Sequence, residues 1–186
     1  MKRLAAALLS VVLLTGCGSQ KASLDRAMEL RAKMMASQGC AFDAVITADY
    51  GNQTQTFSVS CEANGQGDMT FTVKEPQTIA GITGKISGTG GALTFDDQVL
   101  LFEILSDGLL SPVCGPWVML KSLQSGYLNS CGAEGDGLRV TIDDSYKDKA
   151  LHLDVWLGTK DVPERCEIYW EGRRLLTMNV KNFVFL

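Results

Sequence analysis

The first periodic pattern in the chain predicts an amphipathic helix from Ser23 to about Gln38. Apolar residues recur there at intervals of three and four, with charged residues between them, and this apolar set comprises Leu24, Ala27, Met28, Leu30, Met34 and Met35. Ser23 is the expected N-cap and Gly39 the expected helix stop. The stripe can pack on a sheet or lie on a membrane surface, and the lack of a flanking row of Lys and Arg favours the sheet.

Alternation of apolar and polar side chains begins at Ala41 and predicts a series of short antiparallel strands. Turn residues at Gly51-Asn52 and Asn64-Gly65 separate the first strands. The segment from Thr78 to Ser87 is extended but rich in glycine. In chain order, the apolar members of the alternating segments are Phe42, Ala44, Ile46, Ala48, Tyr50, Phe57, Val59, Cys61, Met69, Phe71, Val73, Leu93, Phe95, Leu100 and Phe102.

A second predicted helix, opened by Ser111 and ending near Gly126, interrupts the strands. Its apolar face carries Trp117, Leu120 and Leu123, and a proline is tolerated in its first turn. Strands then resume over 138–142, 151–157, 166–170, 173–180 and 183–186, and no repeat or second domain is indicated. The predicted class is α+β, with one domain over residues 23–186 in which two helices pack on one face of a large antiparallel sheet.

The N-terminal residues predict an export signal. Lys2 and Arg3 precede an apolar run from Leu4 to Leu14, interrupted only by Ser10, which is the layout of a secretory leader. The run is too short for a membrane-spanning helix, which needs about 20 apolar residues. Leu14-Thr15-Gly16-Cys17 follows the run and resembles the bacterial lipobox, in which the cysteine receives diacylglycerol.

The lipobox resemblance implies that residues 1–16 are a lipoprotein signal peptide and that Cys17 becomes the lipidated N-terminus. Residues 17–22 then form a short polar tether. The expected location is the extracytoplasmic face of the cell membrane, where the acyl chains anchor the protein. The alternative is an ordinary secretory signal followed by a chance cysteine.

Charge and cysteine content limit the partners, metal sites and disulfides that can be expected of this chain. The net charge is −4 and becomes more negative when Lys2 and Arg3 leave with the leader, which argues against a nucleic-acid partner. One histidine, His152, and the cysteine spacings predict no metal site. Disulfides can form outside the cytoplasm, but the cysteines beyond Cys17 are odd in number: Cys40, Cys61, Cys114, Cys131 and Cys166.

Cys40 and Cys61 flank the first predicted hairpin and are the candidate disulfide pair. A four-residue loop from Asp49 to Asn52 would pair Ala48 with Gln53 and place the two cysteines opposite each other. A two-residue loop would move them out of register. Directly opposed strand residues can meet the Cα separation of about 4.4–6.8 Å that a disulfide requires.

No arrangement of side chains predicts an enzyme. The acidic pairs Asp96-Asp97 and Asp143-Asp144 stand at predicted strand ends, where acids are common turn residues. His152 alternates with leucines and so belongs to the polar face of its strand. No serine has a Gly-x-Ser-x-Gly context, and Gly88 to Gly91 lacks the lysine and helix of a phosphate loop. We expect neither catalytic residues nor a cofactor.

The element order and one short motif resemble the LolA/LolB superfamily of periplasmic lipoprotein carriers, whose fold the mycobacterial LppX and LprG lipid carriers share. The resemblance covers most of residues 21–186 and includes the segment from Met69 to Pro76, the glycine-rich hairpin up to Asp96 and the closing meander. It implies an incomplete barrel, in which a curved sheet wraps around helices and encloses an apolar cavity for acyl chains. Glu75 stands where LolA-type sorting carriers usually have Arg.

Two functions are compatible with these patterns. The first is a lipoprotein that carries a hydrophobic ligand between sheet and helices, and the second is an envelope scaffold that binds a protein partner and has a filled core. An apolar cavity would favour the first, and a collapsed interior beside an exposed apolar patch would favour the second. The candidate cavity residues are Met28, Met35, Met69, Phe71, Val73, Leu93, Phe95, Leu100, Phe102, Trp117, Leu120 and Leu123.

Overall fold

The structure is a computed structural model that describes residues 16–88, 90–95, 98–106 and 109–186. The leader up to Thr15 and the acidic pair Asp96-Asp97 lie outside the described residues. Side chains are also outside the description at residues 16–19, 95, 106 and 109. The proposed thioether site at Cys17 and the predicted cavity residue Phe95 are therefore described by their backbones alone.

Two helices occupy the predicted places, but the first begins earlier than expected. Helix α1 spans Gly16–Ala36 and helix α2 spans Gly115–Ser125, directly after a 3-10 turn at Pro112–Cys114. The expected tether, residues 17–22, is helical, and the expected N-cap Ser23 is buried inside α1. The hydrophobic pattern did not predict that residues before Ser23 are helical, because they add no residue to the apolar stripe. Gln, Lys and Ala, which occur among them, are nevertheless good helix formers.

The strands form one wide antiparallel sheet and one small hairpin. In the sheet the order is β6-β5-β4-β3-β2-β1-β13-β12-β11-β10-β9, and β7 pairs only with β8. The strands are β1 (Gly39–Asp49), β2 (Thr54–Asn64), β3 (Met69–Glu75), β4 (Thr83–Ser87), β5 (Gly90–Phe95), β6 (Gln98–Phe102), β7 (Leu105–Ser106), β8 (Leu109–Leu110), β9 (Tyr127–Glu134), β10 (Gly137–Asp143), β11 (Leu151–Leu157), β12 (Pro163–Trp170) and β13 (Arg173–Phe185).

The sheet is open, because β6 and β9 end it and do not pair with each other. Its first and last long strands, β1 and β13, pair side by side in the middle of the sheet. The chain therefore builds one half of the sheet outwards to β6, crosses through α2, and builds the other half back from β9. The open antiparallel sheet and the two helices confirm the predicted α+β class.

The register of the first hairpin differs from the predicted register by two residues. Ala48 pairs with Gln55 rather than Gln53, and the loop runs from Tyr50 to Gln53. Within this loop the Asp49 Oδ1 accepts a hydrogen bond from the Gly51 N–H at 2.7 Å, a turn contact typical of Asp. Gly51 has a φ of +88°, which glycine adopts without strain.

This register rules out the predicted pairing of the two flanking cysteines. Cys40 lies opposite Ala63, and Cys61 lies opposite Phe42. Diagonal strand neighbours are about 7–8 Å apart, beyond the reach of a disulfide. Both cysteines are free thiols in the structure, and of the two arrangements left open by the sequence, the structure does not have the one in which Cys40 and Cys61 are opposed.

The core lies between the inner face of the sheet and the helices. The segment between β6 and α2 adds Ile104, Leu105, Leu110 and Val113 to it. Side chains from both halves of the sheet and from α2 are almost completely buried, among them Ile46, Met69, Ile86, Met119, Ile142, Leu153, Ile168 and Met178. Burial of this apolar surface provides the main driving force for folding.

Candidate functional site

The predicted cavity lining is mostly packed core. Met69, Phe71, Val73, Leu120 and Leu123 are buried. Three further predicted lining residues are half-buried and pack against the same cluster: Leu93, Phe102 and Trp117. The strand alternation and the face of α2 thus identified the residues that meet between sheet and helices.

Three predicted lining residues do not reach the interior. Met28 and Met35 of α1 are 47% and 72% exposed, and Leu100 of β6 is 63% exposed. The buried stripe of α1 is narrower than the full set of apolar positions and consists of Ser23, Ala27, Leu30 and Met34. The two exposed methionines each follow a buried position by one residue, which turns them about 100° away from the body.

Two aromatic rings fill space that glycines leave open on neighbouring strands. Phe71 lies opposite Gly84, and a Cβ atom at Gly84 would stand 2.5 Å from the Phe71 Cζ atom. Phe102 lies opposite Gly91 in the same way, at 2.1 Å. The glycines of this region therefore make room for rings, in addition to allowing turns.

In the described part of the chain, a cleft lies between the helices and the sheet. Its apolar lining includes Met34, Cys40, Ala63, Trp117 and Leu120. The open space is about 20 Å³, enough for about one water molecule, whereas ligand sites commonly measure about 300–1,000 Å³. The larger depressions among the described residues open broadly to solvent. The interior of the described part of the chain is therefore filled by its own side chains.

Arginines tie helix α1 to the rest of the fold. The Arg31 guanidinium donates hydrogen bonds to the carbonyl oxygens of Leu123 at 2.8 Å and Gly126 at 2.9 Å, at the C-terminal end of α2. A cation at that end also interacts favourably with the helix dipole. Arg26 forms an ion pair with Asp161, with Nη2 and Oδ1 2.6 Å apart. These contacts tie α1 to the end of α2 and to the segment after β11, and α1 packs on the edge strand β9.

The outer face of the sheet carries two buried carboxylates that neighbouring cations neutralise. Asp154 and Glu167 lie opposite each other on β11 and β12. Arg139 donates to Asp154 at 2.6 Å, and Arg165 and the Tyr169 hydroxyl donate to Glu167. Burial raises the pKa of both carboxyl groups, but the hydrogen bonds and the arginine charges outweigh it and hold each pKa below its ordinary value. Both groups stay ionised, which does not suit a general acid.

His152 lies on the outer face, as the alternation predicted, and contacts an acid. Its Nδ1 is 2.8 Å from Asp143 Oδ1. Burial raises the pKa of Asp143, but hydrogen bonds from Asn129 and His152 lower it below the ordinary value. Across the described ranges, no group of three His, Cys, Asp or Glu side chains could hold a metal ion. The pair is a surface contact at the end of β10 and β11.

The free thiols differ in accessibility, and this leads to a prediction for their reactivity. Cys40, Cys61, Cys114 and Cys166 are buried, whereas Cys131 is half-buried. Burial raises the pKa of Cys40 to about 11 and that of Cys114 to about 12. Because the thiolate is the reactive form, we expect maleimide to label Cys131 at least tenfold faster than the other four in the native state.

The labelling is best measured by mass spectrometry in a Cys17→Ala background, so that only these five thiols count. Cys131→Ser should remove the fast phase, and denaturation should expose all five thiols to the reagent. Recovery of only three reactive thiols after denaturation would reveal a disulfide and contradict the structure.

The edge strand β6 carries an exposed apolar patch, which we define as Val99, Leu100 and Leu101. Their exposures are 65%, 63% and 77%. Val99 and Leu101 are on the outer face and Leu100 is at the rim of the inner face, so both faces of the strand are apolar. Sequence reasoning assigned Leu100 to a cavity and passed over its neighbours. The signal available was the break in alternation, since three consecutive large apolar residues fit no half-buried strand.

No helix in the described part of the chain is long and apolar enough to cross a membrane.

Several solved structures are similar to this chain in the arrangement of their elements. They include a LolA superfamily protein from Nitrosomonas europaea, at 11% identity and a TM-score of 0.45 over 89% of this chain and 92% of that one. A protein domain from Vibrio parahaemolyticus assigned to outer membrane lipoprotein sorting has 12% identity and a TM-score of 0.49, over 89% and 93% of the two chains. The lipoprotein LppX from Mycobacterium tuberculosis has 9% identity and a TM-score of 0.42, over 87% and 93%.

These structures include the groups that the sequence resembles. No protein-family model matches the chain, and no curated protein matches it. We therefore argue the function from the chain's own residues.

Proposed function

We propose that this protein is a lipid-anchored lipoprotein of the cell envelope that binds a partner polypeptide at its surface. The observation that carries the proposal is the filled interior, where the cleft between helices and sheet has room for about one water molecule. An acyl chain needs far more space. The exposed apolar patch on β6 supplies the surface that a partner-binding protein needs, since large apolar patches commonly mark interaction sites.

The proposed anchor is Cys17, carrying acyl chains after removal of residues 1–16. Because α1 begins at Gly16, the anchored cysteine would continue directly into a helix. Arg26, which is paired with Asp161, follows Cys17 by nine residues, or about 14 Å at 1.5 Å per residue. The folded body would then stand close to the membrane at the extracytoplasmic face.

A second candidate function is the carriage of an acyl chain, and the cleft lined by Met34, Trp117 and Leu120 favours it. This cleft lies where a carrier would hold its ligand, between helices and sheet. To accept a chain it would have to widen by more than tenfold in volume, by comparison with known ligand sites. That requires α1 or α2 to move against the contacts of Arg31.

Native mass spectrometry of the full chain, extracted in mild detergent, tests the two candidates. We expect the mass of the acylated chain alone, with no additional lipid bound. Ala63→Val, which adds two methyl groups at the wall of the cleft, should leave this mass spectrum unchanged apart from the substitution itself. Stoichiometric lipid on the natural chain that is lost in Ala63→Val would refute the filled-core proposal and establish the carrier.

Partner binding is tested in the same cells with a photo-crosslinking amino acid. At position 101 we expect a discrete protein adduct, whereas at position 35, which is equally exposed on α1, we expect none. Adducts with lipid alone at position 101 would contradict a polypeptide partner.

A further inference from the structure

The free edge of β6 has the geometry of an acceptor for one more strand. Among the described residues it is the terminal strand of the sheet and pairs only with β5. The pairing runs without a register shift from Gln98 to Phe102. On an antiparallel edge strand, alternate residues direct their backbone N–H and C=O groups away from the sheet, so β6 offers unused hydrogen-bonding groups in a regular row.

The features that normally protect a sheet edge are missing here. Natural edge strands carry a lysine, a proline or a bulge, or lie beneath a helix. Gln98 to Phe102 contains no charged residue and no proline. The opposite edge of the same sheet, β9, is covered by helix α1. The fold thus covers one edge and leaves the other apolar and unpaired.

The surroundings of β6 in the sequence are acidic and free of cations. Residues 86–120 contain no Lys, Arg or His, and their charged residues are Asp96, Asp97, Glu103 and Asp107. Two of these acids precede β6 directly, and the exposed Glu103 follows it. An apolar strand flanked by acids is complementary to an apolar segment flanked by cations.

We propose that β6 binds an extended segment of a partner polypeptide as an additional strand, and that this segment has apolar residues at its centre and Lys or Arg at its ends. Main-chain hydrogen bonds to β6 supply affinity, and the side chains of Val99 and Leu101 supply selectivity for apolar residues. The inference rests on the proposed partner-binding function and names the chemistry of the partner.

Charge distinguishes this occupant from the two other candidates. Antiparallel pairing of β6 with a second copy would set one strand with acids at both ends of its sequence beside another, and like charges repel. An anionic membrane surface attracts basic segments and would be repelled by the same acids. A polypeptide with cationic ends avoids the repulsion that a second copy or an anionic membrane would meet.

Binding of a synthetic peptide to the full chain in detergent tests the inference. The probe alternates valine and threonine over six residues and has two lysines at each end, and its match has glutamates in place of the lysines. Fluorescence anisotropy should show at least tenfold tighter binding of the lysine-flanked peptide. Leu101→Lys should weaken that binding at least tenfold, because it introduces a charge on the acceptor strand.

Two matched variants make the result specific. Met35→Lys adds the same charge at an exposed apolar residue of α1 and should leave the affinity unchanged. Glu103→Lys should reduce the preference for the lysine-flanked peptide over the glutamate-flanked one. Thermal unfolding of each variant should match the natural chain, since the altered side chains are exposed.

Several results would overturn the inference. These are equal affinity for the two peptides, peptide binding insensitive to Leu101→Lys, concentration-dependent dimers abolished by Leu101→Lys, and binding of phosphatidylglycerol vesicles through the same residue. None of them would restore a lipid-filled interior, so the filled core is tested separately by the native mass, and the presence of a polypeptide partner is tested separately by crosslinking at position 101.

Discussion

Replacement of Cys17 by alanine is expected to abolish acylation of the protein and to remove its lipid anchor. The thiol of Cys17 is the proposed acceptor of diacylglycerol, and no neighbouring residue of the segment Leu14-Thr15-Gly16-Cys17 offers another. Each buried methylene contributes about 0.8 kcal/mol to membrane attachment, so two or three acyl chains hold a protein stably. Metabolic labelling with an alkynyl fatty acid should give a strong signal for the natural chain and only background for Cys17→Ala.

The control for this experiment is a second cysteine. Cys131→Ala removes the most accessible of the other thiols and should retain full labelling. Fractionation adds a second readout, because Cys17→Ala is expected either in the soluble fraction or as an uncleaved precursor with a higher mass. Absence of label from the natural chain, or its persistence in Cys17→Ala, would refute the lipoprotein assignment.

The strands were predictable because a sheet with one buried face imposes a period of two on its sequence. Phe42, Ala44 and Ile46 alternate in the sequence and are all buried in the structure. The register was not predictable from that period, because shifting a hairpin by two residues keeps every side chain on its own face. In the structure the loop runs from Tyr50 to Gln53 and contains a hydrogen bond between Asp49 and Gly51, and this register separates the two cysteines.

The alternation of a strand identifies its buried face, but it does not tell whether a packed core or a ligand cavity lies against that face. Met69, Phe71 and Val73 were recognised as inward-facing, but the same pattern suits a cavity lining and a packed core. The glycines opposite the aromatic rings favour the packed core, since Gly84 leaves space on its strand that the Phe71 ring fills. The sequence pattern placed Gly84 in an extended, glycine-rich segment and Gly91 in a hairpin, and predicted a packing role for neither glycine.

Burial of side chains on the outer, polar face of the sheet also cannot be predicted from the alternation. Asp154 and Glu167 stand at alternating polar positions, and the pattern places them on the outer face, where the structure has them. Their burial was not predictable, because it depends on the side chains packed around them on the sheet. Arg139 of β10 pairs with Asp154, and Arg165 of β12 and Arg174 of β13 pair with Glu167.

The second large effect is expected from Phe71→Ala, which should destabilise the protein by about 3–5 kcal/mol. The Phe71 side chain is 2% exposed, and its removal leaves a cavity that the surrounding sheet can close only in part. Domains of this size are stable by about 5–15 kcal/mol in total, so the loss is a large fraction. Urea unfolding followed by circular dichroism should show a lower midpoint with an unchanged slope. Leu101→Ala, on the exposed edge strand, is the control and should change the free energy of unfolding by less than about 0.5 kcal/mol.

The contact between Phe71 and Gly84 makes the test specific to the packed arrangement. Gly84→Ala alone should destabilise by about 1–3 kcal/mol, because the added Cβ atom would stand 2.5 Å from the Phe71 ring. In a Phe71→Leu background the smaller side chain removes the contact with the ring and leaves only the contact of that methyl group with the Ala92 carbonyl oxygen at 2.8 Å, so the cost of Gly84→Ala should fall by about 1 kcal/mol. If Phe71 instead lined an open lipid cavity, its ring could move away from the methyl group. The two costs would then be additive, and Phe71→Ala itself would cost little more than an exposed substitution.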